Sequence, residues 1–435
     1  MAPEVVGIIC IAILLGLMVL GVNIAVALAL VGVLGIGIIA GSQAGFSVVG
    51  VVTFRSVAVF SFVALPLFLL MGEFAYEAGL VGDIFKAANK WLGALPGGMG
   101  MAVITACAGF GTISGSGVVA AAAMTRVCWP ELMKLRYDRG LAAGLLASGG
   151  GLAVLIPPSM LAVLYGMFTQ TSIGQVLLAG VIPGIITATL LMTLIYTRAR
   201  LQPQVAPRAP RVPMREKFGS LKAIWSVILL ALIVTGGMYA GFFTATEAAA
   251  AGAFGAFAIA LAMRRMSWTM FKSSLAQTAK TTSFIFLILI GAFVFSRLLV
   301  LSNISPSITD AIGGWQVPRV FVLIGILSLY VMLGMFMDAT AMLAVSISTV
   351  FPIVTSLGYN PVWFGTVFIM MVEVGGITPP VGLGVFAVKG ILGDQIQTWS
   401  IFKNAQQFLF CYVVMITLLI IFPQLALWIP MNMEG

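Results

Sequence analysis

The sequence contains no histidine, which removes imidazole metal sites, Ser-His nucleophile activation and histidine proton relays from consideration. It is nearly as poor in charge: 8% of its 435 residues are Asp, Glu, Lys or Arg, against roughly a quarter in soluble domains. Its four cysteines, Cys10, Cys107, Cys128 and Cys411, all sit within or at the ends of apolar runs, so they read as buried packing rather than disulfides or metal ligands. What fills the space is apolar: 61% of the chain is hydrophobic, and charge-free runs cover 5–54, 91–125, 140–197, 339–372 and 404–433. Each exceeds the roughly 20 apolar residues that span a bilayer. The fold class is therefore an all-α polytopic membrane protein. A soluble enzyme, a secreted disulfide scaffold and a nucleic-acid binder are excluded, and an intramembrane enzyme is disfavoured because no paired carboxylates at ligand spacing and no nucleophile–base pair occur. The first apolar run follows Glu4 with no early Lys or Arg and continues to Ala40, so it reads as a retained pair of helices rather than a cleaved signal peptide.

The net charge of +9 is unevenly placed. Its densest stretch, 198–222, holds Arg198, Arg200, Arg208, Arg211, Arg215, Lys217 and Lys222 against a single Glu216, and Pro203, Pro207, Pro210 and Pro213 make it an extended linker rather than a helix. The positive-inside rule puts it in the cytoplasm. Counting spans outward from that anchor places 19 of the 22 basic residues inside, leaves only Arg55, Arg297 and Arg319 outside, and puts both termini outside. Tryptophans 91, 129, 225, 268, 315, 363, 399 and 428 fall near segment ends, where interfacial anchors belong.

Two runs are expected to enter the membrane without crossing it. The run 91–125 has basic residues at both flanks and a glycine- and serine-rich centre from Gly109 to Gly117, a poor helix former. Arms of about 12 residues, roughly 18 Å, are too short for a roughly 30 Å core, so the run reads as a re-entrant hairpin with its tip at Gly111. Residues 319–357, with Gly334 at the tip, form its counterpart from the opposite face. Such tips leave backbone groups that only protein or a wet cavity satisfies.

These features pair up. Met71-Gly72-Glu73-Phe74 and Ile290-Gly291-Ala292-Phe293 each precede a hairpin, and each tip is followed by a broken helix, at Ile156-Pro157-Pro158 and at Ile377-Thr378-Pro379-Pro380. From tip glycine to first proline is 46 residues in one half and 45 in the other. Two halves of one plan and opposite orientation constitute an inverted structural repeat, the pattern of secondary transporters whose site lies where tips meet breaks at mid-membrane. Proline removes a backbone donor and pushes the preceding residue out of α geometry. Carbonyls freed at 153–156 and 375–378, with hydroxyls of Thr112, Ser114 or Ser116 and of Thr378, suit a hard cation such as Na⁺; zinc would want ligands the chain lacks. Half-helices beginning near Gly117, Ser159, Thr340 and Val381 turn positive dipole ends to the cavity and favour an anionic substrate.

The motifs Gly111-Thr-Ile-Ser-Gly-Ser-Gly117, Ile156-Pro-Pro-Ser159, Gly334-Met-Phe-Met-Asp338 and Gly376-Ile-Thr-Pro-Pro-Val-Gly382, in order and with Met71-Gly72-Glu73, resemble the large membrane subunit of tripartite ATP-independent periplasmic (TRAP) transporters along essentially the whole chain. That family is similar in fold to sodium-coupled elevator transporters. The resemblance implies uptake of an organic acid driven by two or more co-transported Na⁺ ions, with the cargo delivered by a periplasmic substrate-binding protein and a small four-helix membrane subunit bound to the scaffold, in a bacterial inner membrane. It implies one Na⁺ site at Thr112, Ser114, Gly115, Ala153, Ile156 and Pro157 and another at Gly334, Gly375, Thr378 and Val381. Family members often carry glycine where this chain has Ala153. Ser116, Ser159, Thr340 and Arg297 are the candidate substrate contacts. A stand-alone sodium/anion symporter or exchanger of related fold, without partner subunits, is the alternative.

Among the other charged residues, Glu247 follows Thr244-Ala-Thr246 and reads as a helix N-terminal cap acid. Asp338 and Glu373 adjoin the second proposed site and either shape its potential or bind the ion directly. Arg297 either snorkels to the outer interface or meets a substrate carboxylate or a docking protein. The expected organisation is scaffold arms 1–60, a first transport half 61–175, a span and basic linker 176–222, scaffold arms 223–282 with an interfacial amphipathic stretch at 264–282, a second transport half 283–400 and a C-terminal span 401–435.

Overall fold

A computed structural model describes residues 2–304, 306–307 and 317–433, and every regular element among them is a helix. Trp315 and the side chain of Arg55 lie outside the described residues. Apolar composition without strand-like alternation leaves helix as the only way to satisfy the backbone in lipid. Among the described residues, seven helices are long and apolar enough to cross a membrane, or nine if each bent pair counts as one span.

The chain begins with α1 (Pro3–Val19) and α2 (Ile24–Ala40), the expected helix pair, then α3 (Ser42–Val57), a 3₁₀ turn Phe60–Val63 and α4 (Ala64–Glu77). Next come α5 (Leu80–Leu92) and the first hairpin, α6 (Gly98–Ser114) and α7 (Gly117–Lys134). The first broken helix follows as α8 (Arg139–Gly149), the single turn α9 (Leu152–Leu155) and α10 (Met160–Thr169), bent by 47°. Then α11 (Ile173–Ala179) and α12 (Val181–Leu201) lead to the linker.

The second half opens with α13 (Met214–Leu221) and a rod made of α14 (Trp225–Ala231), a π-helical turn Leu232–Gly236 and α15 (Gly237–Tyr239). It continues with α16 (Ala245–Ala262) and α17 (Trp268–Leu301). The second hairpin is α18 (Arg319–Phe336) and α19 (Ala339–Ser356); the second broken helix is α20 (Pro361–Gly376) and α21 (Leu383–Leu392). The chain closes with α22 (Thr398–Ile421) and α23 (Gln424–Met431).

Three expectations are corrected. The hairpin arms are 17 and 18 residues in the first case and 18 each in the second, not about 12. The turns fall at 115–116 and 337–338, just past the glycines marked as tips. Gly111 and Gly334 stay helical because their missing Cβ serves packing rather than turning: a methyl on Gly111 would lie 2.7 Å from Ala153 Cα, and one on Gly334 would lie 2.9 Å from Gly375 Cα. The linker is not wholly extended. Past its last proline, α13 forms, held by the Trp91 indole donating to Lys217 O and by a Lys90–Glu216 ion pair. Within the stretch 264–282, Trp268 opens α17, which runs unbroken for 34 residues.

Small residues set the closest helix contacts, as lipid-embedded interfaces require. On α2, Gly32 sits against Val294 and Gly35 against Leu298 of α17, while Gly291 of α17 meets Ala25 O. All four cysteines are buried. Bulky apolar side chains such as Ile8, Leu34, Ile38, Phe46 and Phe54 are exposed along α1–α3, as a lipid- or subunit-facing surface demands. Trp225, Trp268, Trp399 and Trp428 are exposed near helix ends, but Trp363 and Trp129 are buried, donating to Leu419 O and Gln395 Oε1, and serve as packing rather than as anchors.

Candidate functional site

Each hairpin turn is stitched to the break of its own half. After the first break, Met160 N donates to Gly115 O at 3.3 Å; after the second, Gly382 N donates to Met335 O at 3.4 Å. The breaks follow from local chemistry. Pro157 and Pro158 have no N–H to return to the carbonyls of Ala153 and Val154, nor have Pro379 and Pro380 for those of Gly375 and Gly376. Thr378 N takes up Gly375 O at 3.0 Å, and the Thr378 hydroxyl donates to Val374 O.

In the first half the turn and break are in direct contact. Gly115, at φ +62, would put a methyl 2.6 Å from Pro158 O, so glycine is required there for both conformation and space. Gly72 of α4 lies against Ile113 O and Ser114 Cα, which explains the glycine of the Met71-Gly72-Glu73 element. Its supposed counterpart Gly291 packs on α2 instead. The Thr112 hydroxyl donates to Gly109 O at 2.7 Å, whereas Ser114 Oγ is buried without a partner among the described residues. A buried hydroxyl so placed is an available oxygen ligand. Ala153 is fully buried against Gly111, and Ile156 and Pro157 complete the break.

The two halves meet at a cavity of about 160 Å³. It is lined by Ser116 and Gly117 of the first turn, by Asp338 and Thr340 of the second, and by Met160 and Leu383 just past the breaks. Of the candidate contacts, Ser116 and Thr340 face it. Ser159 does not: it is 1% exposed and its Oγ caps α10, accepting from Ala162 N at 3.2 Å. Asp338 caps α19 through Oδ1, which accepts from Thr340 N at 2.8 Å and Ala341 N at 3.1 Å.

Glu373 shows what sequence proximity misses. Adjacent in sequence to the second break, it lines the cavity with its carboxylate turned across to the first half. Methyls on Gly117 and Gly151 would lie 2.8 and 2.9 Å from its oxygens. Tyr412 beside it donates to Ser148 O at 2.6 Å. The triplet Gly149-Gly150-Gly151 was visible in the sequence, but its partner was not. Two of the four helix N-termini expected to attract an anion therefore already face protein carboxylates: α19 faces Asp338 and α7 faces Glu373. The cavity lining described carries these two acids and no Lys or Arg.

Arg297 is not at this cavity. It is exposed on a separate cavity of about 1160 Å³ between α3, the ends of α10 and α17, and the segments 170–174 and 241–246.

The comparisons agree with this architecture. Residues 11–425 match the family described as "Tripartite ATP-independent periplasmic transporter, DctM component". The chain belongs to the DctM component family of TRAP transporters. A C4-dicarboxylate TRAP transporter large permease protein of Pseudomonas aeruginosa is 32% identical over 374 residues, 85% of this chain and 86% of that one. An isethionate TRAP transporter permease protein, DctMQ, of Oleidesulfovibrio alaskensis is 31% identical over 391 residues, 88% of this chain but 60% of its own. The crystal structure of the Alcanivorax borkumensis YdaH transporter superposes with a TM-score of 0.62 over 90% of this chain and 89% of that one at 13% identity, a likeness of fold. Family membership makes the chain a multi-pass transporter component.

Proposed function

We propose that this TRAP permease couples entry of two or more Na⁺ ions to uptake of a small organic acid, by an elevator-type movement of the hairpin and broken-helix units against the arm helices. The observation that carries the reading is the central cavity, where two turn-and-break units converge on a lining that holds, among the described residues, two carboxylates and no basic side chain. An anion about 5 Å from a single carboxylate is repelled by roughly 3 kcal/mol at an effective dielectric constant near 20. It therefore enters only with compensating cations. The candidate ligands lie in the turns and breaks behind the cavity lining and are oxygens of uncharged groups: Ser114 Oγ, the Thr112 and Thr378 hydroxyls, and carbonyls at Ala153, Ile156, Gly375 and Val381 next to Pro157 and Gly334. Such donors suit Na⁺.

The proposed partners are a small four-helix membrane subunit on the exposed apolar face of α1–α3 and a periplasmic substrate-binding protein. The isethionate relative supports the first, since its name joins two components in one chain of which this one matches 60%. We place the chain in an inner membrane with both termini periplasmic, on the charge count. The relatives' cargoes, a C4-dicarboxylate and isethionate, share only small size and negative charge. Ser114→Ala and Thr378→Ala in the reconstituted complex are expected to raise the Na⁺ concentration for half-maximal uptake severalfold; unchanged Na⁺ activation in both variants rejects the site assignment.

A further inference from the structure

The second cavity has the opposite character from the first. Its walls come from both sides of the proposed sliding boundary: Ser47 of α3 and Thr246 of α16 belong to the expected scaffold arms, and Gln170 and Thr171 beyond α10, with Ser296 and Arg297 of α17, to the expected transport halves. Arg297 is the sole charged residue among its described lining. It has no hydrogen-bonding or ion-pair partner among the described residues. Glu247, one residue beyond Thr246, is outside that lining and engaged in a capping box, its Oε2 accepting from Thr244 N and Thr244 Oγ1 at 2.8 Å. At about 1160 Å³ the space admits an organic acid with its water, and it is far roomier than the central cavity at about 160 Å³.

We infer that this cavity is a receiving site where the carboxylate of the incoming organic acid docks on the Arg297 guanidinium before it reaches the central cavity. The inference rests on the transport reading above and adds a station to it. A guanidinium presents a planar fork that matches a carboxylate with two parallel hydrogen bonds, and the surrounding hydroxyls and the Gln170 amide satisfy the rest of a polar cargo. The two cavities then impose an order. The acid is attracted to the cavity holding the lone cation and repelled from the one holding Asp338 and Glu373 until sodium has entered there.

The test places a thiol in the cavity by Ser296→Cys, and by Thr246→Cys on a different wall, in the full transporter complex; the four native cysteines are buried and give little background. Labelling rates are compared for an anionic and a cationic methanethiosulfonate added from outside, with and without millimolar succinate as the carboxylate probe. With Arg297 present the anionic reagent is favoured and succinate slows it more than chloride at matched ionic strength. With Arg297→Gln the anionic-to-cationic rate ratio falls about tenfold, as removal of one charge several ångströms away predicts, and succinate protection disappears. Arg297→Lys, which guards against a folding defect, keeps the ratio but loses most of the protection. A ratio unmoved by Arg297→Gln, or equal effects of succinate and chloride, overturns the site. Uptake that proves independent of Na⁺ overturns the transport reading instead and leaves the labelling result standing.

Discussion

The contact between Gly334 and Gly375 gives the sharpest test of the second turn-and-break unit. A methyl added at Gly375 would lie 2.5 Å from Gly334 Cα and 2.8 Å from its carbonyl carbon, backbone on both sides, so no flexible side chain is there to yield. Ordinary carbon contacts are about 3.5–4.0 Å, so α18 and α20 must part by about 1 Å. A cation site tolerates about 0.2 Å in its ligand distances, and overpacking costs about 1–3 kcal/mol. If this cost falls on the sodium-bound arrangement, Gly375→Ala raises the Na⁺ concentration for half-maximal uptake about tenfold, a factor that corresponds to about 1.4 kcal/mol. The assay is Na⁺-dependent uptake by proteoliposomes alongside thermal stability in detergent. Gly325→Ala is the control: it lies in the same hairpin, and a methyl there meets nothing within 4 Å. Normal Na⁺ activation in Gly375→Ala with a lowered melting temperature would refute the reasoning, because the contact would then be packing alone.

Three further outcomes are expected. Gly111→Ala, whose methyl would lie 2.7 Å from Ala153 Cα, impairs Na⁺ activation through the first unit, as Gly375→Ala does through the second; an effect confined to one half would show that only one binds sodium. Asp338→Ala removes the acceptor for two N–H groups of α19 and costs about 1 kcal/mol, read as a lowered melting temperature, whereas Asp338→Asn keeps the cap and most of the stability. A cysteine at Arg211 reacts with a membrane-impermeant reagent only from the cytoplasmic face; labelling from outside would invert the topology.

How much of this was legible in advance divides along one physical line. Properties set by a residue and its chain neighbours were readable: membrane residence from long charge-free runs, the two breaks from prolines that lack an N–H, the capping box of Thr244 and Glu247 from their spacing, and family membership from motifs in order. Properties that depend on which distant surfaces meet were not. Gly111 and Gly334 looked like turns because glycine is a poor helix former, yet each is helical, since a partner helix packs against the face its missing side chain leaves open. Trp363 looked like an interfacial anchor and is buried. Glu373 belongs by sequence to the second break and by position to Gly117 of the first hairpin and Gly151 of the first break, crossings of 256 and 222 residues along the chain that no local pattern encodes. Arg297 and Ser116 were grouped as contacts for one substrate, and the fold places them on two cavities of opposite charge. The sequence by itself determined where the helices break and that they live in a membrane; only the tertiary structure decided which side chains share a cavity, because side chains converge through packing between helices and not through order along them.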